Sequence, residues 1–291
     1  MSKRVVPDYT VEENVFEGED GTMIFYRVFR PNLIKRKPKV LVVHHGFGEH
    51  GGRYENLTEA LKESGFIIYI HDARGHGRSG GKRGHVNNFL EFLDDLDRLI
   101  RIATKTEKVP KVYLMGHSMG GLVVLCYAAM GTNQGNLVTL IASGSALRVH
   151  LNVVMRVKKF VGQFLANVLP EVTVPAGLNI EDLSHDPEVI EAYKADPLVH
   201  GEISMALGKV FLEIGEPCIN SADVIRVPTY LFHGQEDRIA DPSGSIAFYN
   251  NLVIADRKLN IYENLFHETM NEYPKDRDRV LSDLRVWLEK H

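Results

Sequence analysis

The sequence contains only two cysteines among its 291 residues, too few to build a disulfide framework. Cys126 lies inside an apolar stretch, where we expect a small buried thiol, and this use of cysteine fits a reducing compartment. The N-terminal residues include basic side chains but no apolar segment, so they lack the pattern of a signal peptide. These absences predict a cytoplasmic protein.

Long hydrophobic runs and an excess of positive charge are also lacking. No apolar run approaches the roughly 18 residues needed to span a bilayer, although peripheral attachment to a membrane surface stays open. The formal net charge of −4 gives no electrostatic reason to expect binding to nucleic acid. Neither an H-E-x-x-H helix nor paired Cys/His spacing occurs, so we predict no metal site and no cofactor.

What the sequence does contain is an alternation of strand and helix patterns. Two strand-like segments, 11–17 and 22–30, flank a Gly-Glu-Asp-Gly turn and predict an opening β-hairpin. Short apolar runs predict further strands at residues 39–46, 66–72, 111–116, 137–144, 227–234 and 258–263. Helical periodicity is found at residues 55–64, 89–103, 122–130 and in a closing amphipathic segment through Leu288. This alternation predicts an α/β fold with a mostly parallel central sheet and helices on both faces.

The alternation stops between about Ala146 and Asp223. This region has several helical patterns, a segment rich in proline and aspartate, and no convincing buried strand. We interpret residues 146–222 as a helical cap inserted into a catalytic core of residues 1–145 and 223–291, all within one domain.

One segment of this region, residues 151–170, has an amphipathic helical pattern. Its apolar side chains lie largely on one helical face beside two lysines: Val153, Val154, Val157, Phe160, Val161, Phe164, Leu165 and Val168, next to Lys158 and Lys159. Packing onto the core is one interpretation, and an apolar lip that touches lipid and admits acyl chains is another. Both hold if only part of the face is buried.

A serine interrupts the most apolar stretch of the chain, residues 112–130. Gly116-His117-Ser118-Met119-Gly120 matches G-x-S-x-G and lies between a predicted strand and a predicted helix. On such a turn the serine is exposed above the carboxyl end of the sheet, and Gly116 and Gly120 let strand and helix approach closely. The N–H of Met119, at the start of the helix, then points to where an oxyanion would form.

A serine nucleophile needs a base, and the base needs an orienting acid. In α/β-hydrolases the chain order is nucleophile, acid, histidine, and Asp237 and His267 each follow a predicted strand in that order. Loops past the ends of parallel strands meet at one edge of the sheet, so both can reach Ser118. Glu236 and Asp241 are nearby alternatives to Asp237. The sequence therefore predicts a triad of Ser118, Asp237 and His267.

A second oxyanion donor is expected in the loop at residues 44–50, which reads HHGFGEH and follows a predicted strand. Gly46 frees the backbone there, and the N–H of Phe47 is our candidate donor. His44 and His45 could be catalytic by residue type, but we interpret them as residues that shape this loop.

Residues 75–80 spell G-x-G-x-x-G after a predicted strand, which could indicate dinucleotide binding. That fingerprint requires the glycines to open a helix and an acidic residue to end the next strand. Here a polar segment follows instead, and the next acidic residues lie inside a predicted helix. We therefore predict a packed loop near the catalytic edge rather than a nucleotide site.

Six segments together resemble the monoacylglycerol lipase and lysophospholipase group of serine α/β-hydrolases: HHGFGEHGGRY, DARGHGRSGG, GHSMGG, DPEVIEAYKADPL, HGQEDRIADPSGS and IYENLFHETMNE. The resemblance extends from about Gly18 to the end of the chain and implies an α/β-hydrolase fold. It implies Ser118 as nucleophile, His267 as base and Asp237 as its partner, with Phe47 and Met119 as oxyanion donors. Family cysteines that line the pocket are absent here, so thiol sensitivity is not carried over.

The function we predict is hydrolysis of carboxylic esters of lipid-like substrates through an acyl-enzyme. The resemblance and the apolar cap favour a monoacylglycerol or lysophospholipid, which has one long chain and a small polar head. A short-chain esterase, or an amidase or thioesterase on the same triad, is the alternative among enzymes. A catalytically silent binding protein of this fold typically lacks a triad member, and none is missing here.

Overall fold

The computed structural model describes residues 2–5, 9–32, 38–130, 134–150 and 168–291. Its strands are β1 (Ser2–Val5), β2 (Tyr9–Glu17), β3 (Met23–Pro31), β4 (Lys39–His44), β5 (Phe66–His71), β6 (Val112–His117), β7 (Leu137–Ser143), β8 (Thr173–Pro175), β9 (Glu202–Ser204), β10 (Thr229–Gly234) and β11 (Arg257–Tyr262). Its α-helices are α1 (Glu55–Leu61), α2 (Leu90–Glu107), α3 (Met119–Ala129), α4 (Pro187–Ala195), α5 (Met205–Glu213), α6 (Gly215–Asn220), α7 (Pro242–Asn251) and α8 (Pro274–Lys290). Short 3₁₀ turns lie at Gly51–Arg53, Gln134–Asn136, Ile180–Asp182, Ala222–Val224 and Thr269–Asn271.

One nine-stranded sheet, in the order β1-β2-β3-β5-β4-β6-β7-β10-β11, forms the centre of the molecule. β1, β2 and β3 pair antiparallel, β3 pairs antiparallel with β5, and the strands from β5 to β11 along the sheet are parallel. The predicted hairpin and the predicted mostly parallel sheet are confirmed. β1 has no counterpart among the predicted strands, because its 4 residues form no apolar run.

Side chains of the central strands alternate between two cores, one on each face of the sheet. On β4, Val40 and Val42 belong to the core that α2 and α3 cover. Leu41 and Val43 of the same strand belong to the core beneath α1 and α8. A strand buried on both faces is a continuous apolar run in sequence, which explains why the central strands are recognisable from sequence alone.

The helices α3 and α8 show how the distribution of apolar residues along a helix determines how much of it is buried. α3 is apolar on all sides and almost fully buried, because it lies between the sheet and the helices α2 and α6. It begins at Met119, earlier than the predicted Leu122. α8 is amphipathic and buries one apolar face. Its Trp287, the only tryptophan of the chain, donates its indole N–H to Thr139 Oγ1 at 2.9 Å.

The segment between β7 and β10 interrupts the alternation, as the sequence predicts. Its described part contains α4, α5 and α6 and a small antiparallel sheet of β8 and β9. These two strands have only 3 residues each and are not fully buried, so they leave no apolar run in the sequence. The amphipathic pattern at 151–170 lies, up to residue 167, outside the described residues. None of the described helices is both long and apolar enough to cross a bilayer.

Strand register determines which loops meet at the carboxyl edge of the sheet. His44 at the end of β4 pairs with Gly116 of β6. Ser143 at the end of β7 pairs with His117 of β6 and with Phe232 of β10. The carboxyl ends of β4, β6, β7 and β10 therefore lie side by side, and the loops that follow them converge.

Candidate active site

Ser118 occupies a sharp turn between β6 and α3. Its φ of +54° and ψ of −116° are unusual for a residue with a side chain, a conformation that costs about 1–3 kcal/mol. The turn is held by its own backbone, since Ser118 N–H donates to Ser143 O at 2.9 Å. Its carbonyl accepts from Leu122 N–H and from Ala146 N–H, both at 3.0 Å. The serine is thereby fixed at the carboxyl edge of the sheet.

Three glycines around this turn have neighbours too close for a side chain. A Cβ at Gly116 would overlap the carbonyl of Gly120, and a Cβ at Gly120 would overlap the carbonyl of His44. A Cβ at Gly46 would lie 3.1 Å from Cβ of Ser118. The glycines at these positions thus permit β4, β6, α3 and the 44–50 loop to pack directly against one another.

His267 lies within hydrogen-bond distance of Ser118, and Asp237 lies within hydrogen-bond distance of His267. His267 Nε2 lies 2.9 Å from Ser118 Oγ, and His267 Nδ1 lies 2.6 Å from Asp237 Oδ2. The other oxygen of Asp237 accepts backbone N–H groups from Ile239 at 2.8 Å and Ala240 at 2.9 Å. All three side chains are buried. The chain order, together with the position of both residues after predicted strands, predicts that they meet, and in the structure they form one continuous hydrogen-bonded chain.

The two alternative acids have other environments. Glu236 is exposed, and Asp241 accepts the N–H of Ser243 at 2.8 Å as the N-cap of α7. Of the three acidic residues on this loop, Asp237 is the one that contacts His267.

The electrostatics of the pair favour an ionised aspartate beside a basic histidine. Burial opposes ionisation of Asp237, but the charge of His267 and hydrogen bonds from His233 and His267 hold the pKa of Asp237 well below its usual range. Burial likewise would lower the pKa of His267, but the charge and hydrogen bond of Asp237 outweigh it and raise that pKa above 6.5.

His233 is a contact of this site that sequence reasoning did not select. Its Nε2 lies 2.8 Å from Asp237 Oδ2, and its Nδ1 lies 2.8 Å from Ser245 Oγ. The side chain is fully buried. Two imidazoles therefore share one oxygen of Asp237. The only sequence signal is that His233 ends a buried strand just before the loop that carries Asp237.

Two backbone N–H groups next to Ser118 have no acceptor among the described residues: those of Phe47 and Met119. The neighbouring N–H of Gly46 is different, because it donates to Glu49 Oε1 at 2.6 Å. The N–H groups of Phe47 and Met119 are therefore available as donors, whereas that of Gly46 is not, and the role of the first two as oxyanion donors stays a prediction.

His44 and His45, at the start of the 44–50 loop, are fully buried. Burial lowers the pKa of His44 to about 4 and holds that of His45 well below its usual value. His45 Nδ1 lies 2.7 Å from the carbonyl of Gly46, and its Nε2 accepts the N–H of Ala73 at 2.7 Å. These contacts fix the loop, in agreement with the sequence interpretation. Within the described part of the chain, no group of three His, Cys, Asp or Glu is arranged to hold a metal ion.

The G-x-G-x-x-G segment is a packed loop around a buried carboxylate. Asp72 accepts N–H groups from Gly51 at 2.9 Å and Arg78 at 2.8 Å, and Arg27 Nη1 at 2.8 Å. A Cβ at Gly77 would overlap the same carboxylate. The glycines do not open a helix, which agrees with the prediction that this is no dinucleotide fingerprint.

The segment between β7 and β10 contacts the 44–50 loop directly. His200 N–H donates to Gly48 O at 2.9 Å, and His50 Nε2 lies 2.8 Å from Asp196 Oδ2. The ring of Phe47 meets that of Phe211 on α5 edge to face, with centroids 6.0 Å apart. Much of α5 is apolar and only half-buried: Met205, Ala206, Val210, Phe211 and Leu212. An incompletely covered apolar wall therefore lies next to the candidate site.

A second apolar feature of this segment faces solvent. Five large apolar residues lie exposed within a short stretch: Val168, Leu169, Val172, Val174 and Leu178. Such a concentration of exposed apolar side chains marks an interaction surface more often than isolated ones do.

Comparison with known proteins gives concordant results. Residues 35–274 match a family described as serine aminopeptidase, S33. A monoacylglycerol lipase from Mycolicibacterium smegmatis is 34% identical over 283 residues, which cover 97% of this chain and 98% of that protein. The crystal structure of Paleococcus ferrophilus monoacylglycerol lipase superimposes with a TM-score of 0.79 at 29% identity, covering 97% and 99% of the two chains. A soluble variant of Saccharomyces cerevisiae monoglyceride lipase, in complex with a substrate analog, has the same fold, with a TM-score of 0.86, 24% identity and coverage of 98% and 96%.

Proposed function

The chain belongs to the serine aminopeptidase S33 family of α/β-hydrolases, within the monoacylglycerol lipase and lysophospholipase group, and we propose that it hydrolyses esters of lipids carrying one acyl chain. It is a serine ester hydrolase. The observation that carries the proposal is the hydrogen-bonded chain from Ser118 through His267 to Asp237, which lies beside the half-buried apolar wall of α5.

In the proposed acylation step, Ser118 Oγ attacks the acyl carbonyl while His267 Nε2 takes its proton. Asp237 accepts the Nδ1–H of His267, which sets the tautomer and stabilises the imidazolium that forms. The N–H groups of Phe47 and Met119 hold the oxyanion of the tetrahedral intermediate. His267 then gives its proton to the leaving alcohol oxygen, and the acyl group stays on Ser118.

Deacylation uses the same groups in reverse. A water molecule attacks the acyl carbonyl, and His267 Nε2 accepts the proton that this water loses. The second tetrahedral intermediate collapses, the bond to Ser118 Oγ breaks, and His267 returns its proton to the serine. One ester and one water thus give a fatty acid and an alcohol.

The pH dependence of turnover tests the role of His267. Its imidazole must be neutral to accept the serine proton, so kcat/KM is expected to fall as pH decreases through a midpoint above 6.5. The Asp237→Asn variant should lose roughly 10⁴-fold in rate. The decline of its remaining kcat/KM on the acidic side of the pH profile, here called the acid limb, should move to lower pH. Asp241→Asn, which alters a helix cap, is the matched control and should leave the profile unchanged. A wild-type midpoint below that of free histidine would contradict the assignment.

We further propose that residues 146–222 cap the site and that the exposed apolar residues of 168–178 contact a membrane peripherally. The contacts of His200 and Asp196 with the 44–50 loop support the first proposal, because they place this segment against a donor loop. The cluster of exposed apolar side chains supports the second, since a lipid substrate resides in or on a bilayer.

Substrate choice is the main experimental test of this function. Across a series of glycerol monoesters, kcat/KM is expected to rise up to roughly fourfold per added CH₂, because burial of each contributes about 0.8 kcal/mol. The panel should include lysophosphatidylcholine, short p-nitrophenyl esters and an aminoacyl p-nitroanilide, the last because the family description names an aminopeptidase. A preference for the short ester or the anilide would replace the proposal with a general esterase or an amidase.

A vesicle arm of the same panel tests membrane contact. With long-chain monoester presented in vesicles, Leu169→Ser is expected to raise the apparent KM, while turnover of a short soluble ester stays unchanged. Val253→Ser is the matched control, since Val253 is also exposed but lies outside the segment. Equal effects of the two substitutions would contradict a dedicated membrane surface.

A further inference from the structure

Three buried ionisable side chains lie next to the candidate active site: Glu49, Arg53 and Glu268. Arg53 Nη1 lies 2.8 Å from Glu49 Oε2 and 2.7 Å from Glu268 Oε1, and its Nη2 lies 2.9 Å from Glu268 Oε2. The three side chains are only 5%, 11% and 5% exposed, in chain order. Buried ion pairs add little net stability, so what the two carboxylates hold in place is the more informative observation.

Glu49 connects the cluster to the 44–50 loop. Its Oε1 accepts the N–H of Gly46 at 2.6 Å and the hydroxyl of Tyr54 at 3.0 Å. Gly46 immediately precedes Phe47, whose N–H has no acceptor among the described residues. Glu49 therefore fixes the peptide unit next to the one that carries the Phe47 N–H, and Arg53 holds this carboxylate from the other side.

Glu268 connects the cluster to the loop that follows β11, here called the base loop, residues 263–268. Glu268 directly follows His267 in the chain, and its Oε2 also accepts Asn271 Nδ2 at 2.8 Å. Burial alone would raise the pKa of Glu268, but the charge and hydrogen bonds of Arg53 hold that pKa at about 2. Glu268 is therefore an ionised carboxylate next to the base, and its charge favours the imidazolium form of His267.

Arg53 also contacts the segment between β7 and β10. Its guanidinium carbon lies 4.6 Å from the ring centroid of Tyr193 on α4. One side chain thus touches the donor loop, the base loop and the segment proposed as the cap, although Arg53 and Glu268 are 215 positions apart. None of these contacts involves Ser118.

We propose that Arg53 is a positioning residue that sets the distance between the Phe47 N–H and His267 and keeps Glu268 charged beside the base. This inference rests on the proposed function of the site. The role is geometric and electrostatic: the planar guanidinium makes a two-pronged contact with Glu268 while it also contacts Glu49, and the compact ammonium of a lysine does not reproduce that fork.

Arg53→Lys is the first variant, assayed on a short soluble ester. It retains the positive charge but loses the fork, so kcat is expected to fall roughly 10- to 100-fold with little change in KM, as for a small displacement of reacting groups. Glu268→Gln is the second variant and keeps the shape of the side chain. Removing a negative charge next to His267 lowers its pKa, so the acid limb of kcat/KM should move to lower pH. A role in stability alone would not move that limb.

The matched control is the pair of Arg30 and Glu107, which is also bidentate, at 2.8 and 2.9 Å, but joins β3 to α2. Arg30→Lys should leave kcat unchanged, and Glu107→Gln should leave the acid limb unchanged. If Arg53→Lys does not fold, the proposal is tested by comparing the acid limb of Glu268→Gln with that of the wild type.

Labelling of Ser118 by a fluorophosphonate distinguishes a failure of the proposed function from a failure of the proposed role of Arg53. A wild-type protein that is not labelled defeats the proposed function itself. The role of Arg53 is overturned if the wild type is labelled but Arg53→Lys retains the wild-type kcat and Glu268→Gln retains the wild-type acid limb. The triad assignment would stand in that case.

Discussion

Ser118→Ala is expected to reduce kcat by about 10⁴- to 10⁶-fold on the best substrate, with little change in folding. The substitution removes the atom that forms the acyl-enzyme, whereas the N–H groups of Phe47 and Met119 remain and sustain only weak residual catalysis. Loss of the hydrogen bond to His267 should change the free energy of unfolding by about 1 kcal/mol at most. Steady-state assays and a urea titration of the same preparation measure the two quantities.

A second buried serine provides the control for this experiment. Ser145 lies close to α3, its Oγ has no hydrogen-bond partner among the described residues, and it does not contact His267. Ser145→Ala should therefore retain wild-type kcat and react with a fluorophosphonate, while Ser118→Ala should not react. Undiminished ester hydrolysis by the Ser118→Ala protein would contradict the assignment of Ser118 as the nucleophile.

The second large effect that we expect is a steep loss of stability in mild acid. Five of the buried histidines have a pKa that burial lowers: His44 to about 4, His76 and His117 to about 3, and His45 and His71 well below 6.5. Below pH 6.5 the unfolded chain binds protons at these residues and the folded chain does not. The free energy of unfolding therefore falls as pH falls, by up to about 1.4 kcal/mol per pH unit for each histidine.

Five such residues acting together would remove up to about 7 kcal/mol by pH 5.5, which is comparable to the whole stability of a typical domain. His267 offsets part of this loss, because its raised pKa makes the folded chain bind that proton more tightly than the unfolded chain does. Urea unfolding at a series of pH values measures this slope. His71→Leu should reduce this slope by the contribution of one proton, about 1.4 kcal/mol per pH unit, since neither ring nitrogen of His71 has a partner among the described residues. His150→Gln, at an exposed position, should not alter it. A stability independent of pH between 5.5 and 7.5 would contradict this account.

Much of the fold could be read from the sequence because its central strands are buried on both faces. The apolar runs of β4, β5, β6, β7 and β10 are continuous and end at turn residues, so their position is hard to mistake. β1, β8 and β9 are short and lack that signal. The start of α3 was placed too late because Gly120 and Gly121, which close packing requires, are poor helix formers.

Some residues of the candidate site can likewise be recognised from sequence, and others cannot. Ser118 is marked by a local motif, and Asp237 and His267 are marked by their position after buried strands, so local sequence suffices for all three. His233, Arg53 and their partners are different. Their contacts join loops far apart in the chain, and no periodicity or motif records which buried polar side chains will meet once the loops pack.

The single indole of the chain has a practical consequence for spectroscopy. Trp287 lies on α8 and is buried against the sheet, with its ring centroid 5.4 Å from that of Tyr230 and its N–H bonded to Thr139. Its emission will therefore report the integrity of the sheet and of α8, and it will be nearly blind to movement of residues 168–213. An unfolding trace followed through this fluorophore measures the core, and movement of residues 168–213 would have to be observed with a dye or an indole introduced on that segment.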